Sequence, residues 1–88
     1  MNAGEFLALL AAGADVNQAD DEGRTPLYMA CRWGHTAVVT ALLGAGANVN
    51  QAAKGRTPLW SACWQGHADV VTTLLGAGAD INQANNDG

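Results

Sequence analysis

Apolar residues fall at i, i+3 and i+4 in two short stretches of the chain, Leu27, Ala30 and Cys31 in one and Leu59, Ala62 and Cys63 in the other. That spacing gathers side chains on one helix face and predicts two short helices of about two turns each. Thr25 and Thr57 stand directly before Pro26 and Pro58. A threonine hydroxyl there can accept a hydrogen bond from the new helix, and proline at a first helical position loses no bond by lacking an N–H. Gly34 and Gly66 supply the left-handed residue on which such a helix ends. After each glycine comes a second apolar stripe, Val38, Val39, Leu42 and Leu43, then Val70, Val71, Leu74 and Leu75. These predict a second helix that begins near His35 or His67 and stops at Gly46 or Gly78.

Beyond the second helix the apolar pattern thins to Val49 flanked by Asn and Gly. The tips at Asp21-Glu22-Gly23, Lys54-Gly55 and Asp87-Gly88 carry glycine where a tight turn needs positive φ, which predicts a projecting, hairpin-like finger. The middle finger is one residue shorter, with five steps from Asn50 to Gly55 against six from Asn17 to Gly23 and from Asn82 to Gly88. The whole pattern is written twice. GRTPLYMACRWGHTAVVTALLGAGANVNQA returns as GRTPLWSACWQGHADVVTTLLGAGADINQA, and Thr25, Gly34, His35 and Leu42 recur as Thr57, Gly66, His67 and Leu74, each a step of 32. A period of this length means a stacked array in which no unit buries its apolar face alone. Upstream, Asn2 and Glu5 read as an N-cap with its reciprocal acid, followed by Phe6, Leu9 and Leu10 at helical spacing. Leu9 and Leu10 align with Leu42 and Leu43, so this opening is the back half of a unit.

Helix, turn, helix and finger, with T-P-L opening the first helix and G-H the second, resembles the ankyrin repeat. The resemblance extends from about Glu5 to Gly88, because TPL, GH, VV, LL and GA-D/N-V/I-N all recur in order. It implies an all-α solenoid of helix-turn-helix units with projecting β-hairpin-like fingers. The chain is then one ankyrin-repeat domain over 1–88, divided into a half repeat (1–19), two repeats (20–52 and 53–84) and the start of a further finger (85–88). One departure is consistent: where the family has histidine after T-P-L, this chain has Tyr28 and Trp60. In the family that imidazole ties adjacent loops, and here an aromatic ring stands in its place. Asn17, Asn50 and Asn82 match the finger asparagine that can be hydroxylated in ankyrin proteins.

Charge narrows the function. A net charge of −4 argues against a phosphate-neutralising surface, so nucleic acid is not an expected partner. Met1 to Ala14 lacks a positive n-region and a cleavage pattern, and no uncharged apolar run is long enough to span a bilayer. The expectation is a soluble, cytoplasmic protein with no membrane partner. Cys31 and Cys63 occupy equivalent places in adjacent units, about one interhelical spacing apart, which is too far for an ordinary disulfide.

Chemistry finds little footing. Cys31 with His35 and Cys63 with His67 make a nominal four-ligand zinc set, but Gly34 and Gly66 break the helix between each pair. Equivalent residues of a stack lie side by side, so packed thiols and bracing histidines are favoured over metal. Ser61 is the only serine, and no acid has a motif relation to either histidine, so no nucleophile triad is expected. No phosphate-cradle motif occurs, and Asp20, Asp21 and Glu22 read as a solvated tip rather than a cation site. The expectation is no enzyme and no cofactor.

The positional signal is stronger. All four basic residues, Arg24, Arg32, Lys54 and Arg56, fall on finger tips or near the end of a first helix, as do Trp33, Trp64 and Gln65. In ankyrin-like stacks this strip forms the concave recognition surface, and Trp and Arg often dominate protein interfaces. The expected partner-binding set is therefore Arg24, Arg32, Trp33, Lys54, Arg56, Trp64 and Gln65, with Asp21 and Glu22 helping to choose charge partners. Against this, Trp33, Trp60 and Trp64 could instead pack between units or on one another. Two complete units without polar caps also predict sticky ends, so the alternative is a segment of a longer array or a self-associating stack.

Overall fold

The computed structural model describes residue 13 and residues 15–81. They contain four helices: α1 (Pro26–Trp33), α2 (Thr36–Gly44), α3 (Pro58–Trp64) and α4 (Ala68–Gly76). Among the described residues there is no strand, only an isolated antiparallel bridge between Ala53 and Arg56. The architecture is all-α, as expected. The opening helix of Phe6, Leu9 and Leu10 and the finger of Asn82, Asp87 and Gly88 lie outside the described residues.

Local signals set the helix ends. Thr25 Oγ1 accepts the Tyr28 N–H at 3.1 Å, and Thr57 Oγ1 accepts the Trp60 N–H at 3.2 Å. Gly34 takes φ 74°, which lets the His35 N–H reach back to the Ala30 carbonyl at 3.0 Å. Gly66 and the His67 N–H do the same with Ala62 at 3.0 Å. This pairing satisfies carbonyls that the helix end would otherwise leave unbonded. The same closure ends α2 and α4, where the N–H groups of Ala47 and Ala79 bond the carbonyls of Leu42 and Leu74, each at 3.0 Å.

Each unit is a helix pair, α1 against α2 and α3 against α4, and the units stack with α1 on α3 and α2 on α4. Leu27, Leu42, Leu59 and Leu74 are fully buried in one cluster with Ala30, Ala62, Val39 and Val70. Burying each leucine contributes about 1.5 to 3 kcal/mol, and the alanines let the helices approach closely. No buried side-chain nitrogen or oxygen lacks a hydrogen-bond partner among the described residues.

The two units are not buried alike, which corrects the expectation of equivalent stripes. Cys31 and Val39 are buried and Leu43 is half-buried, whereas Cys63 is exposed, Val71 half-buried and Leu75 44% exposed. The face of the first unit that carries Cys31 and Val39 is covered by α3 and α4. Among the described residues no helix covers the corresponding face of the second unit.

The fingers are joined by side-chain amides. Asn17 Oδ1 accepts the Asn48 N–H and Asn50 Oδ1 accepts the Asp80 N–H, each at 2.8 Å. The middle tip is a two-residue turn with both central residues at positive φ, Lys54 at 52° and Gly55 at 80°. It is closed by reciprocal Ala53 and Arg56 bonds of 2.8 and 3.0 Å. The first tip, one residue longer, is held by Asp20, whose Oδ1 accepts the N–H groups of Glu22 and Arg24, both at 2.9 Å.

Candidate functional site

The two described finger tips and α1 enclose an open groove of about 180 Å³. Glu22 and Arg24 come from the first tip, Ala53, Lys54 and Arg56 from the second, and Tyr28 and Arg32 from α1. Every lysine and arginine in the chain therefore lines one groove. Residues 32 positions apart become neighbours when two units stack, and each finger tip projects beside the next, so basic residues scattered along the sequence meet.

Their charges are unequally free. Arg24 Nε lies 2.8 Å from Asp20 Oδ2, and a terminal guanidinium nitrogen lies 3.6 Å from Glu22. The Arg24 backbone N–H is the main influence holding the Asp20 carboxyl below the usual carboxylate range; desolvation opposes it, and the Glu22 N–H and Arg24 guanidinium assist. Arg24 thus serves its own finger. Among the described residues no carboxylate lies within 4.0 Å of Arg32, Lys54 or Arg56.

Beside the groove stands a column of flat groups. The Trp60 and Trp64 rings stack with centroids 5.4 Å apart and planes 8° from parallel. The Arg56 guanidinium lies 4.5 Å from the Trp60 centroid, continuing the column into the groove wall. Arg32 lies 5.6 Å from the Trp33 centroid. Trp33 is 59% exposed and Trp64 73% exposed. The alternatives of packing and exposure therefore coexist at Trp64, which lies on Trp60 with its other face open to water. Asp21, Trp33, Trp64 and Gln65 are exposed but do not line the groove.

Other candidate chemistry is dispersed. Burial pushes the Cys31 thiol up to about 12, while Cys63 is exposed. His67 Nε2 donates to the Arg32 carbonyl at 2.9 Å. Ser61 is buried. Among the described residues no three His, Cys, Asp or Glu side chains are grouped as a metal site would need, and no helix is long and apolar enough to cross a membrane.

A family model described as ankyrin repeats, three copies, matches residues 2–85. The chain belongs to the ankyrin repeat family. Ankyrin repeats are generally non-catalytic modules that mediate protein–protein interaction. Among similar proteins, the human scaffold protein ILK is 53% identical over 36 residues, covering 41% of this chain and 8% of ILK. Acyl-CoA-binding domain-containing protein 6 of Xenopus tropicalis is 50% identical over 42 residues, covering 48% of this chain and 15% of that protein. Human Arf-GAP with coiled-coil, ANK repeat and PH domain-containing protein 3 is 54% identical over 46 residues, covering 50% of this chain and 6% of that protein. The chain thus spans only a small part of each relative's length.

Against the ankyrin pattern, Tyr28 and Trp60 replace the histidine that follows T-P-L, and the structure accounts for both. Tyr28 is buried into the groove lining, and Trp60 is held between Arg56 and Trp64. Bracing between units passes instead to the asparagine amides and to His67. The alternative of tryptophans packing on one another is met at Trp60 and Trp64, whose four-residue separation on one helix lets the rings stack. Sequence reasoning left His67 as a generic brace because its acceptor, the Arg32 carbonyl, is 35 residues away.

Proposed function

We propose that this ankyrin chain is a protein-binding module whose partner docks across the finger tips and the exposed ends of α1 and α3. The observation that carries this reading is the exposure of Trp33 and Trp64 beside a groove holding all four basic residues. Large, flat aromatic side chains give much contact area for little lost conformational freedom, and arginines beside them add directed hydrogen bonds. Asp21 and Gln65 complete the rim.

The test is affinity capture with residues 1–88 beside a Trp33→Ala, Trp64→Ala variant, with captured proteins read by mass spectrometry. Both tryptophans are mainly exposed, so the variant should keep its fold, which circular dichroism checks. Proteins retained by the wild type and lost by the variant support the reading. An identical captured set from both overturns it.

A second reading, end-on association with more repeats or with another copy, is favoured by the uncovered Cys63, Leu75 and Ile81, the last 67% exposed. Light scattering that stays monomeric across a wide concentration range would count against association with another copy.

A further inference from the structure

We infer that the groove between the finger tips seats acidic side chains of a partner's peptide segment, with Arg32, Lys54 and Arg56 as the carboxylate-binding groups. This rests on the reading of the chain as a protein-binding module and names the chemistry of what it binds.

The argument begins with charge placement. The chain has eight acidic and four basic residues, yet all four basic residues line one groove. The surroundings are therefore net acidic and the groove locally basic. An acidic segment is repelled by most of the surface and attracted at one place, which fixes register as well as affinity. Within the groove Arg24 is bonded to Asp20 and near Glu22, which leaves Arg32, Lys54 and Arg56 as the cations without a carboxylate neighbour among the described residues.

Geometry adds a second line. The Arg56 guanidinium lies over Trp60, which is stacked on Trp64, and Arg32 lies beside Trp33. Rings that hold a guanidinium in place reduce the freedom it would lose on binding, and a planar fork of donors matches a carboxylate better than a lysine ammonium does. Lys54 shares the second finger tip with Arg56, in a tight turn where it takes φ 52°, and lines the same groove as Arg32. The groove, at about 180 Å³, is smaller than the roughly 300 to 1,000 Å³ of ordinary small-molecule pockets. It suits the ends of side chains from a segment lying across it. A polyanionic nucleic acid would bring phosphates against the acidic remainder of the surface, whereas a peptide can confine its charge to the groove.

The experiment uses the 1–88 protein on a peptide array in which two glutamates, at varied spacings, are set in an alanine background, beside the same array with glutamine. At one or more spacings the glutamate peptide should bind about tenfold more tightly than its glutamine counterpart. In solution, the best peptide should shift the backbone amide resonances of residues 53–56 and lose affinity as salt shortens the range of the charges. Arg32→Gln and Arg56→Gln should each weaken binding severalfold, while Asp69→Asn, exposed on α4 and outside the groove lining, should change it less than about twofold. Thermal melts confirm that each variant is folded.

Equal binding of glutamate and glutamine peptides at every spacing, undiminished binding by both Arg32→Gln and Arg56→Gln, or tighter binding of a single-stranded oligonucleotide overturns the inference. If the array is silent while the double tryptophan variant still loses captured proteins, the acidic-segment inference falls and the protein-binding reading stands.

Discussion

Replacing Gly34 with alanine separates the strain of a helix end from the contact between repeats, because Gly66 provides a built-in comparison. Both glycines have similar left-handed φ values, 74° and 76°. A Cβ added at Gly34 would lie 2.7 Å from His67 Nδ1 and 2.8 Å from Cε1, whereas one added at Gly66 meets nothing within 4 Å. At either position alanine incurs about 1 to 2 kcal/mol of left-handed strain, partly offset by about 0.4 to 1 kcal/mol from a stiffer unfolded chain. Gly66→Ala should therefore destabilise by about 1 kcal/mol. At Gly34 the imidazole must also move, disturbing its 2.9 Å bond to the Arg32 carbonyl. A lost hydrogen bond of about 1 kcal/mol and overpacking of about 1 kcal/mol or more bring the expected total to about 3 kcal/mol. For a domain of this size each kcal/mol corresponds to about 4 to 8 °C in Tm. Urea and thermal unfolding followed by circular dichroism would resolve the two variants. In a His67→Ala background the Gly34→Ala effect should shrink to that of Gly66→Ala. Equal effects of the two substitutions in the wild type, or an excess at Gly34 that survives removal of the imidazole, would refute this account.

The remaining expectations concern the tips and the thiols. Asp20 is held below the usual carboxylate range, chiefly by the Arg24 N–H, so its contribution to folding is complete above about pH 4 and is lost as pH falls through the folded-state value. An NMR titration should show the Glu22 and Arg24 amides moving together with the Asp20 carboxyl, and Asp20→Asn should abolish that coupled step. Cys31 behaves oppositely: burial raises it to about 12, so above about pH 8.5 the unfolded chain loses a proton that the folded chain keeps, and Tm should fall as pH rises. Under native conditions a thiol reagent should label Cys63 at once and Cys31 only on unfolding, and equal labelling rates would contradict the burial difference. Lys54 adopts φ 52°, a conformation asparagine tolerates better, so Lys54→Asn should stabilise the fold by about 1 kcal/mol in denaturant melts.

Most of the architecture could be read from residues that act on near neighbours. Thr25 and Thr57 cap the helices that begin one residue later, and Gly34, Gly46, Gly66 and Gly78 close helices through bonds that span only a few residues. These effects depend on local backbone geometry, which sequence spacing encodes directly. What could not be read depends on the offset between units. The different fates of Cys31 and Cys63, equivalent by sequence, are decided by whether another pair of helices lies over them. The family resemblance already places Arg32, Lys54 and Arg56 on one strip, but that they line a single groove requires knowing that the second finger tip comes to rest beside α1. Exposure of Trp64 and its packing on a neighbouring ring were both open in the sequence; the structure shows the two together and adds the Arg56 contact with Trp60.

The paired amide contacts of Asn17 with Asn48 and Asn50 with Asp80 carry a consequence for growth. Each seam takes its oxygen from one module and its N–H from the successor, so the coupling is the same wherever it falls along the row. Splicing in a whole additional copy would import both halves of the joint and leave either neighbour unaltered. Removing a fraction of one would leave that oxygen to water and lose the tie across the seam, so whole-copy changes keep a coupling that partial ones forfeit.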